Sequence, residues 1–459
     1  MTTRRDLSAG RSMLSNSRSL FAGLLLALWA LAAIAQQPKN IIVLYADGVA
    51  ATQWEFGRYS SRALRNAGFA VTDVVFQKGS LGLLTTHAHE AFATDSAAAG
   101  SAMSTGVKTT VGAIGVGPDG KPVRTAVEVA RAHGKRIGLV TTAEVYDASP
   151  AAFSVHARNR GESGTIVDQY LALEPEVLLG GGADKFTPKH LEAFRAKGYA
   201  LVRNAQELKD AHGARLLGLF SDDAMDYAMD RPADQPSFAD MMRASLQALA
   251  PNSPQGFLLF IENENTDTAG HRNDAAALMH DLWAFDEALQ VALEFQRRSP
   301  DTLIIVTGDH ETGGLSVTYA LRDLTGTSSK NRFYAGDSHL KLLNGISISL
   351  DKALESLGNK PSAEALDKLL AAHFPGFKLD PDLRDSILKN QVLERNFSYP
   401  VQNGLGRMVS RQTGVYWGTS GHTTEPVLVG ALGPGAERFR GYYDNTDFAK
   451  ILHALLGQD

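Results

Sequence analysis

Acidic residues and histidines stand together at a few places where apolar runs end: Asp47 after Asn40–Ala46, Glu262 with Asp267 and His271 after 256–261, and Asp309-His310 after 301–307. Taken singly, each has a structural reading. Asp47-Gly48 is a common turn pair, and Asp267 and His271 stand four apart, as helix-surface pairs do. The chain contains no cysteine. Thiol nucleophiles, disulfides and thiolate metal sites are therefore excluded, and a metal would have to be held by His, Asp, Glu and hydroxyl groups. A serine supplies the second kind of chemistry. Ser96 follows Thr94-Asp95 and heads a run of small residues that ends at Gly106. Thr94 or Asp95 can cap a helix there. Ser96 would then sit at a helix N-terminus, where free N–H groups and the dipole favour an anion such as phosphate. A serine hydroxyl is a poor nucleophile at neutral pH. With no histidine nearby in sequence as an obvious base, metal coordination is the other way to activate it.

Distant groups can act together only if the fold gathers them. The apolar runs at 40–46, 136–142, 176–179, 256–261, 301–307 and 425–431 read as buried strands. Helical patterns lie among them at about 123–133, 164–173, 188–198, 236–249 and 275–298, with a closing helix at about 446–457. Strands alternating with helices predict an α/β fold, a three-layer α/β/α sandwich around a mostly parallel central sheet. In such sheets ligands bind at the carboxyl ends of the strands, which is where the acidic and histidine groups fall. Residues of about 320–410 break the rhythm, being polar with short helical patches, and read as a cap or crown insertion within a catalytic domain of residues 36–459.

Thr94-Asp95-Ser96-Ala97-Ala98, Asp47-Gly48, Asp267 with His271, Thr307-Gly308-Asp309-His310-Glu311-Thr312-Gly313-Gly314 and Gly421-His422-Thr423 stand in the order found in alkaline phosphatases. The chain resembles that family over residues 40 to about 315 and 412–458. The resemblance implies a phosphate monoester hydrolase with two zinc ions and one magnesium. Ser96 matches the nucleophile that becomes phosphoserine. Asp267, His271 and His422 match the ligands of one zinc; Asp309, His310, Asp47 and the Ser96 oxygen match those of the second. Asp47, Glu262 and Ser149 match the magnesium site, with Asp147 in its water shell. Arg160 matches the arginine that grips two phosphate oxygens. Two residues have rivals: Arg158 for Arg160, and Glu264 for Glu262. Thr268 departs from the pattern, since many members carry Lys, His or Trp after the aspartate. His87, His89 and His156 match no ligand of the family and read as structural.

Sister activities fit less well. A sulfatase usually builds its nucleophile from Cys, or from Ser with Pro two residues on, and here Ala97-Ala98 follows Ser96. A phosphodiesterase remains the alternative, although Arg160 and the third metal position favour monoesters. A non-catalytic binding protein would have lost a ligand or the nucleophile, and none is lost.

The first 35 residues have the composition of a leader. Arg4, Arg5, Arg11 and Arg18 precede the apolar run from Leu20 to Ala35, which ends in Ala33-Ile34-Ala35. That run is shorter than the roughly 20 residues of a membrane span. The expectation is a signal peptide cleaved after about Ala35, a periplasmic or secreted product and no stable membrane anchor. A net charge of −5 without a basic run argues against nucleic acid as the partner. The family resemblance also implies a homodimer as one form of assembly.

Overall fold

The structure is a computed structural model that describes residues 37–323, 329–358 and 360–457. The expected leader lies outside the described residues. Ten strands form the central sheet. In chain order they are β1 Asn40–Ala46, β2 Ser80–Leu84, β3 Arg136–Glu144, β4 Val177–Gly181, β5 Ala200–Val202, β6 Leu216–Leu219, β7 Phe257–Asn263, β8 Thr302–Thr307, β9 Val427–Leu432 and β10 Gly441–Tyr443. Their order across the sheet is β10-β2-β9-β8-β1-β7-β3-β4-β6-β5. Every pairing is parallel except those of β9, which runs antiparallel to both β2 and β8.

The central strands are apolar at successive positions because both faces of the sheet are covered. Along β1, Ile42 and Leu44 point into one core, and Ile41, Val43 and Tyr45 into the other. The long helix Ala275–Arg298 and the helix Phe238–Leu249 cover the first face; Ser96–Thr105, Ala126–Ala132, Ser163–Leu173 and Asn445–Leu456 pack on the second. The three-layer α/β/α sandwich expected from the sequence is the observed architecture. Among the described residues no helix is long and apolar enough to cross a membrane.

Leu315–Val317 pairs antiparallel with Val415–Trp417, bringing together the two ends of the 318–414 segment. Within it, the polar stretch forms the helices Asp337–Leu343, Leu350–Leu357, Ala363–His373, Pro381–Leu388 and Pro400–Thr413, more regular structure than its composition announces. Their buried faces, including Leu343, Leu350, Leu366 and Leu405, join the same core as Ile42 and Leu44.

Candidate active site

The carboxyl ends of β1, β7 and β8 set the first group of side chains. β1 lies between β7 and β8 with Tyr45 opposite both Glu262 and Thr307, so Asp47, Glu262 and Asp309 come to one edge of the sheet. Asp47, Glu262, Asp309 and His310 are all buried to within 1% of complete. Gly48 makes the turn after Asp47 at φ +72°, and a Cβ there would stand 2.8 Å from the Asp267 Cα. Only glycine lets these two segments approach so closely.

The helix Ser96–Thr105 brings the nucleophile candidate to this edge. Its N-cap is Asp95, whose carboxylate accepts from the Ala98 N–H at 3.0 Å. Ser96 Oγ lies 3.2 Å from His310 Nε2. The same nitrogen is 3.3 Å from Asp309 Oδ2 and 3.5 Å from Asp47 Oδ1. Ser149 Oγ donates to Asp47 Oδ2 at 3.4 Å, and Thr141 Oγ1 to Glu262 Oε2 at 2.6 Å. Arg160 completes this wall: it donates to Asp147 Oδ1 at 2.8 Å and to Asp95 Oδ2 at 3.4 Å, whereas Arg158 is exposed.

His271 and His422 reach the site from elsewhere. His271 ends the helix Asn265–Arg272, one turn after Asp267, with its Nε2 3.1 Å from Asp267 Oδ2. His422 is delivered by a two-residue pairing in which it stands opposite Thr312, so its ring stacks on that of His310 with centroids 3.7 Å apart. Glu311, fully buried, fixes this pairing by accepting from Gln53 Nε2, the Gly314 and Leu315 N–H groups and Thr423 Oγ1. His310 thus belongs to two possible ligand groups: Asp267, His310 and His422 on one side, and Asp47, Asp309 and His310 on the other.

A family model described as alkaline phosphatase matches residues 38–458. The chain belongs to the alkaline phosphatase family. Alkaline phosphatase 4 of Bacillus subtilis is 31% identical over 432 residues, covering 91% of this chain and 88% of its own length. The repressible alkaline phosphatase of Saccharomyces cerevisiae is 28% identical, covering 97% and 88%. The crystal structure of Thermus thermophilus alkaline phosphatase superposes with a TM-score of 0.81 at 30% identity, over 93% of this chain and 94% of that one. The activity class is accordingly that of a phosphoric monoester hydrolase.

Alkaline phosphatases are metal-dependent, and the electrostatics of this site fit that requirement. Asp47 Oδ1, Glu262 Oε1 and Asp309 Oδ2 are buried without a hydrogen-bond donor. Burial, with Asp309 next in weight, pushes the Asp47 carboxyl well above its usual range. Burial likewise pushes Glu262 up to about 8, and burial with the Asp267 charge pushes Asp309 up to about 7. Burial and the neighbouring His422 hold His310 well below the usual imidazole value, so it is neutral, as a ligand must be. A carboxylate buried without a donor demands a cation or a proton.

The histidine pair makes the same demand independently. His271 Nδ1 faces the Ser420 carbonyl at 2.6 Å, and His422 Nδ1 faces the Thr94 carbonyl at 2.8 Å. A carbonyl only accepts, so both Nδ1 atoms donate and both Nε2 atoms carry lone pairs when neutral. These two nitrogens are 3.1 Å apart beside Asp267. Burial alone would raise Asp267, but His271, His422 and His310 hold it well below the usual carboxylate range. Burial would lower His271, yet Asp267 outweighs it and pushes this histidine up to about 9. A proton fills the gap in the bare protein; a divalent cation would fill it as well.

Some participants have no role that the sequence assigns, although Thr312 lies within the motif at 307–314. Thr312 Oγ1 donates to Asp267 Oδ1 and stands 3.2 Å from His310 Nδ1, and Thr141 orients Glu262. The carbonyls of Thr94 and Ser420, which set the histidine tautomers, are invisible to side-chain reasoning. Glu264, the rival of Glu262, is engaged by Thr268 Oγ1 at 2.6 Å. His87 and His89 stand apart, near Asp444 and Glu90 at 3.8 Å each, while His156 bonds Glu128 and the Gly115 carbonyl.

Proposed function

We propose that this chain is an exported alkaline phosphatase that hydrolyses phosphate monoesters through a phosphoserine at Ser96. The observation that carries the reading is the convergence on Ser96 Oγ. It lies at a helix N-terminus, 3.2 Å from a neutral histidine nitrogen, among carboxylates whose free oxygens lack donors. Asp267, His271 and His422 would hold one zinc; Asp47, Asp309, His310 and Ser96 the second; Asp47, Glu262 and Ser149 a magnesium, with Asp147 beside it. Mixed nitrogen and carboxylate donors suit zinc, and an all-oxygen set suits magnesium. When bound, these ions supply Lewis-acid charge that lowers the pKa of the serine and of water and offsets charge on the leaving oxygen.

Ser96 Oγ gives up its proton and attacks phosphorus, and the phosphoryl group is held as phosphoserine. The ester oxygen leaves with its electron pair and takes up a proton from solvent to depart as the alcohol. Water then attacks phosphorus from the vacated side and frees inorganic phosphate and Ser96. Arg160, steadied by Asp147 and Asp95, presents its guanidinium to two phosphate oxygens. The free N–H groups of the helix at Ser96 neutralise negative charge alongside it.

The test compares a phosphate monoester with the matching diester on one zinc- and magnesium-loaded preparation at alkaline pH. Monoester preference, lost on chelation and in Ser96→Ala, with acid-trapped phosphate on Ser96 in the parent, is the expected result. Diester preference would move the chain to a sister activity. Residues 1–35 would direct export to the periplasm or beyond, and N-terminal sequencing of the exported protein is expected to begin at about Gln36.

A further inference from the structure

Part of what holds His271 on the side away from Asp267 comes from the 318–414 segment. Asn403, buried in the helix Pro400–Thr413, uses its whole amide on this task. Its Nδ2 donates to the His271 carbonyl at 3.2 Å and to Asn273 Oδ1 at 2.9 Å, and its Oδ1 accepts from the Tyr399 N–H at 2.9 Å. Asn273, at φ +59°, ends the helix that carries His271 and donates to the Thr419 carbonyl at 2.8 Å. The neighbouring Ser420 carbonyl is the one that orients His271. Asn396 holds the same loop, accepting from the Ser420 N–H at 3.0 Å and donating to the Gly418 carbonyl at 2.6 Å.

A second path runs through Arg272. Its guanidinium lies 3.8 Å from the centre of the Tyr399 ring, and Nε donates to Asp351 Oδ1 at 2.9 Å. Asp351 also receives Tyr227 Oη at 3.2 Å and Gln402 Nε2 at 3.0 Å. The cation next in sequence to His271 is thereby turned away from the site, and Tyr399 presents its ring to the His271 ring at 6.4 Å and 64°. Asn403 and Asn273, buried and bonded in this way, fix one geometry, because leaving either unpaired is costly. The Arg272–Asp351 contact, partly exposed, adds to it less.

We infer that Asp351, Tyr399 and Asn403 are positioning residues that set the orientation of His271, and through it the affinity of the metal position formed by Asp267, His271 and His422. The inference rests on the metal-site reading above. It gives the 318–414 segment a defined role in the chemistry, at one metal position and not at the others. Groups that orient a liganding histidine without touching the metal typically change affinity by roughly 10–100-fold when removed.

The experiment is chelator competition for zinc on the full chain, read per site, with the visible absorption of the cobalt-substituted protein reporting the histidine-containing positions. Tyr399→Leu and Asn403→Ala are expected to weaken one position by roughly 10–100-fold and leave the rest at parental affinity. Tyr399→Phe, which keeps the ring over Arg272, should retain parental affinity. At saturating zinc the variants should regain kcat with KM unchanged. Should the larger substitutions fail to melt cooperatively, Asp351→Asn, which keeps the shape but removes the charge and one acceptor oxygen, decides the matter by the same readout. Folded variants that hold every zinc as tightly as the parent would overturn the inference while leaving the active-site reading intact. A folded parent that binds no zinc tightly would overturn that reading, and this inference with it.

Discussion

The two halves of the site are built by different means. The half formed by Asp47, Glu262, Asp309 and His310 grows directly from the ends of three adjacent parallel strands and is closed to solvent. The half formed by His271, His422 and Arg160 is assembled from a helix end, a two-residue strand pair and a loop, and its side chains are 24%, 13% and 35% exposed. A strand end inside a sheet cannot shift without breaking the ladder on both sides. A helix end or loop can shift, and so needs dedicated polar contacts to hold it. The strand-end half is therefore preorganised by the fold itself, and the other half by specific hydrogen bonds.

The largest test of this contrast is deletion on each side. Asp309→Ala removes a ligand candidate whose surroundings cannot readjust, and turnover should fall by about three orders of magnitude or more, with no rescue by excess zinc. His271→Ala leaves a more open position, so excess zinc should recover a substantial part of kcat. Equal loss without rescue in both variants would erase the distinction between the halves. Steady-state kinetics across a zinc titration is the measurement.

Arg160 offers the next largest effect. Arg160→Ala removes charge-assisted hydrogen bonds to phosphate and should lower kcat/KM by roughly 10–100-fold, whereas Arg158→Ala should change it less than about twofold. A comparable loss in both would show that the phosphate grip is shared along the loop and does not depend on the anchoring of Arg160 by Asp147 and Asp95. Thr312→Val comes after these. Thr312 is the hydroxyl that touches both halves, through Asp267 and His310, and valine keeps its shape. The expected loss of metal affinity is roughly tenfold, felt at both histidine-containing positions, and is checked by the same chelator competition.

The same division governs what the sequence discloses. Asp47, Glu262 and Asp309 can be read from the chain because each follows an apolar run, and a parallel sheet turns that linear fact into a shared edge. The pairing of Thr312 with His422 cannot be read, since it joins residues 110 positions apart through two residues of strand. β2 escapes for a related reason: Ser80–Leu84 is short, contains Gly82 and leaves Leu81 and Leu83 partly exposed, so its hydrophobicity does not mark it as buried. The helices of the 318–414 segment each bury a narrow apolar stripe, such as Leu350, Ala353 and Leu357, amid polar residues. Thr94 or Asp95 were equal candidates for the cap before Ser96. The structure selects Asp95, whose carboxylate also accepts from the Gly112 N–H and Arg160, contacts that depend on the tertiary fold.

The smallest effect, and the one that separates the halves by charge, is the pH dependence of stability in the chelated protein. Unfolded carboxyls titrate near pH 4. Folded Asp309 and Glu262 titrate at about 7 and about 8, and Asp47 is raised as well. Between these values the folded carboxyls hold protons that the unfolded ones have lost, so their contribution to stability falls as pH rises from about 4 through 8. His310, held low, contributes with the opposite sign below about 6.5 and offsets part of that fall. His271 acts in a higher window. Its folded value of about 9 lies above the unfolded 6.5, so its contribution is complete below about pH 6.5 and is lost as pH rises through 9. Thermal melts of the metal-free protein should decline by several degrees over this range, and those of the zinc- and magnesium-loaded protein by less. Asp274, Asp281 and Asp286, raised by burial away from the site, lose stability in both. Glu262→Gln should flatten the lower part of the decline and His271→Gln the upper part. A melting temperature that stays level or climbs from pH 5 to 8 after chelation would mean that the buried carboxylates are stabilised without a cation, and the strand-end half would then lose its claim to be a metal site.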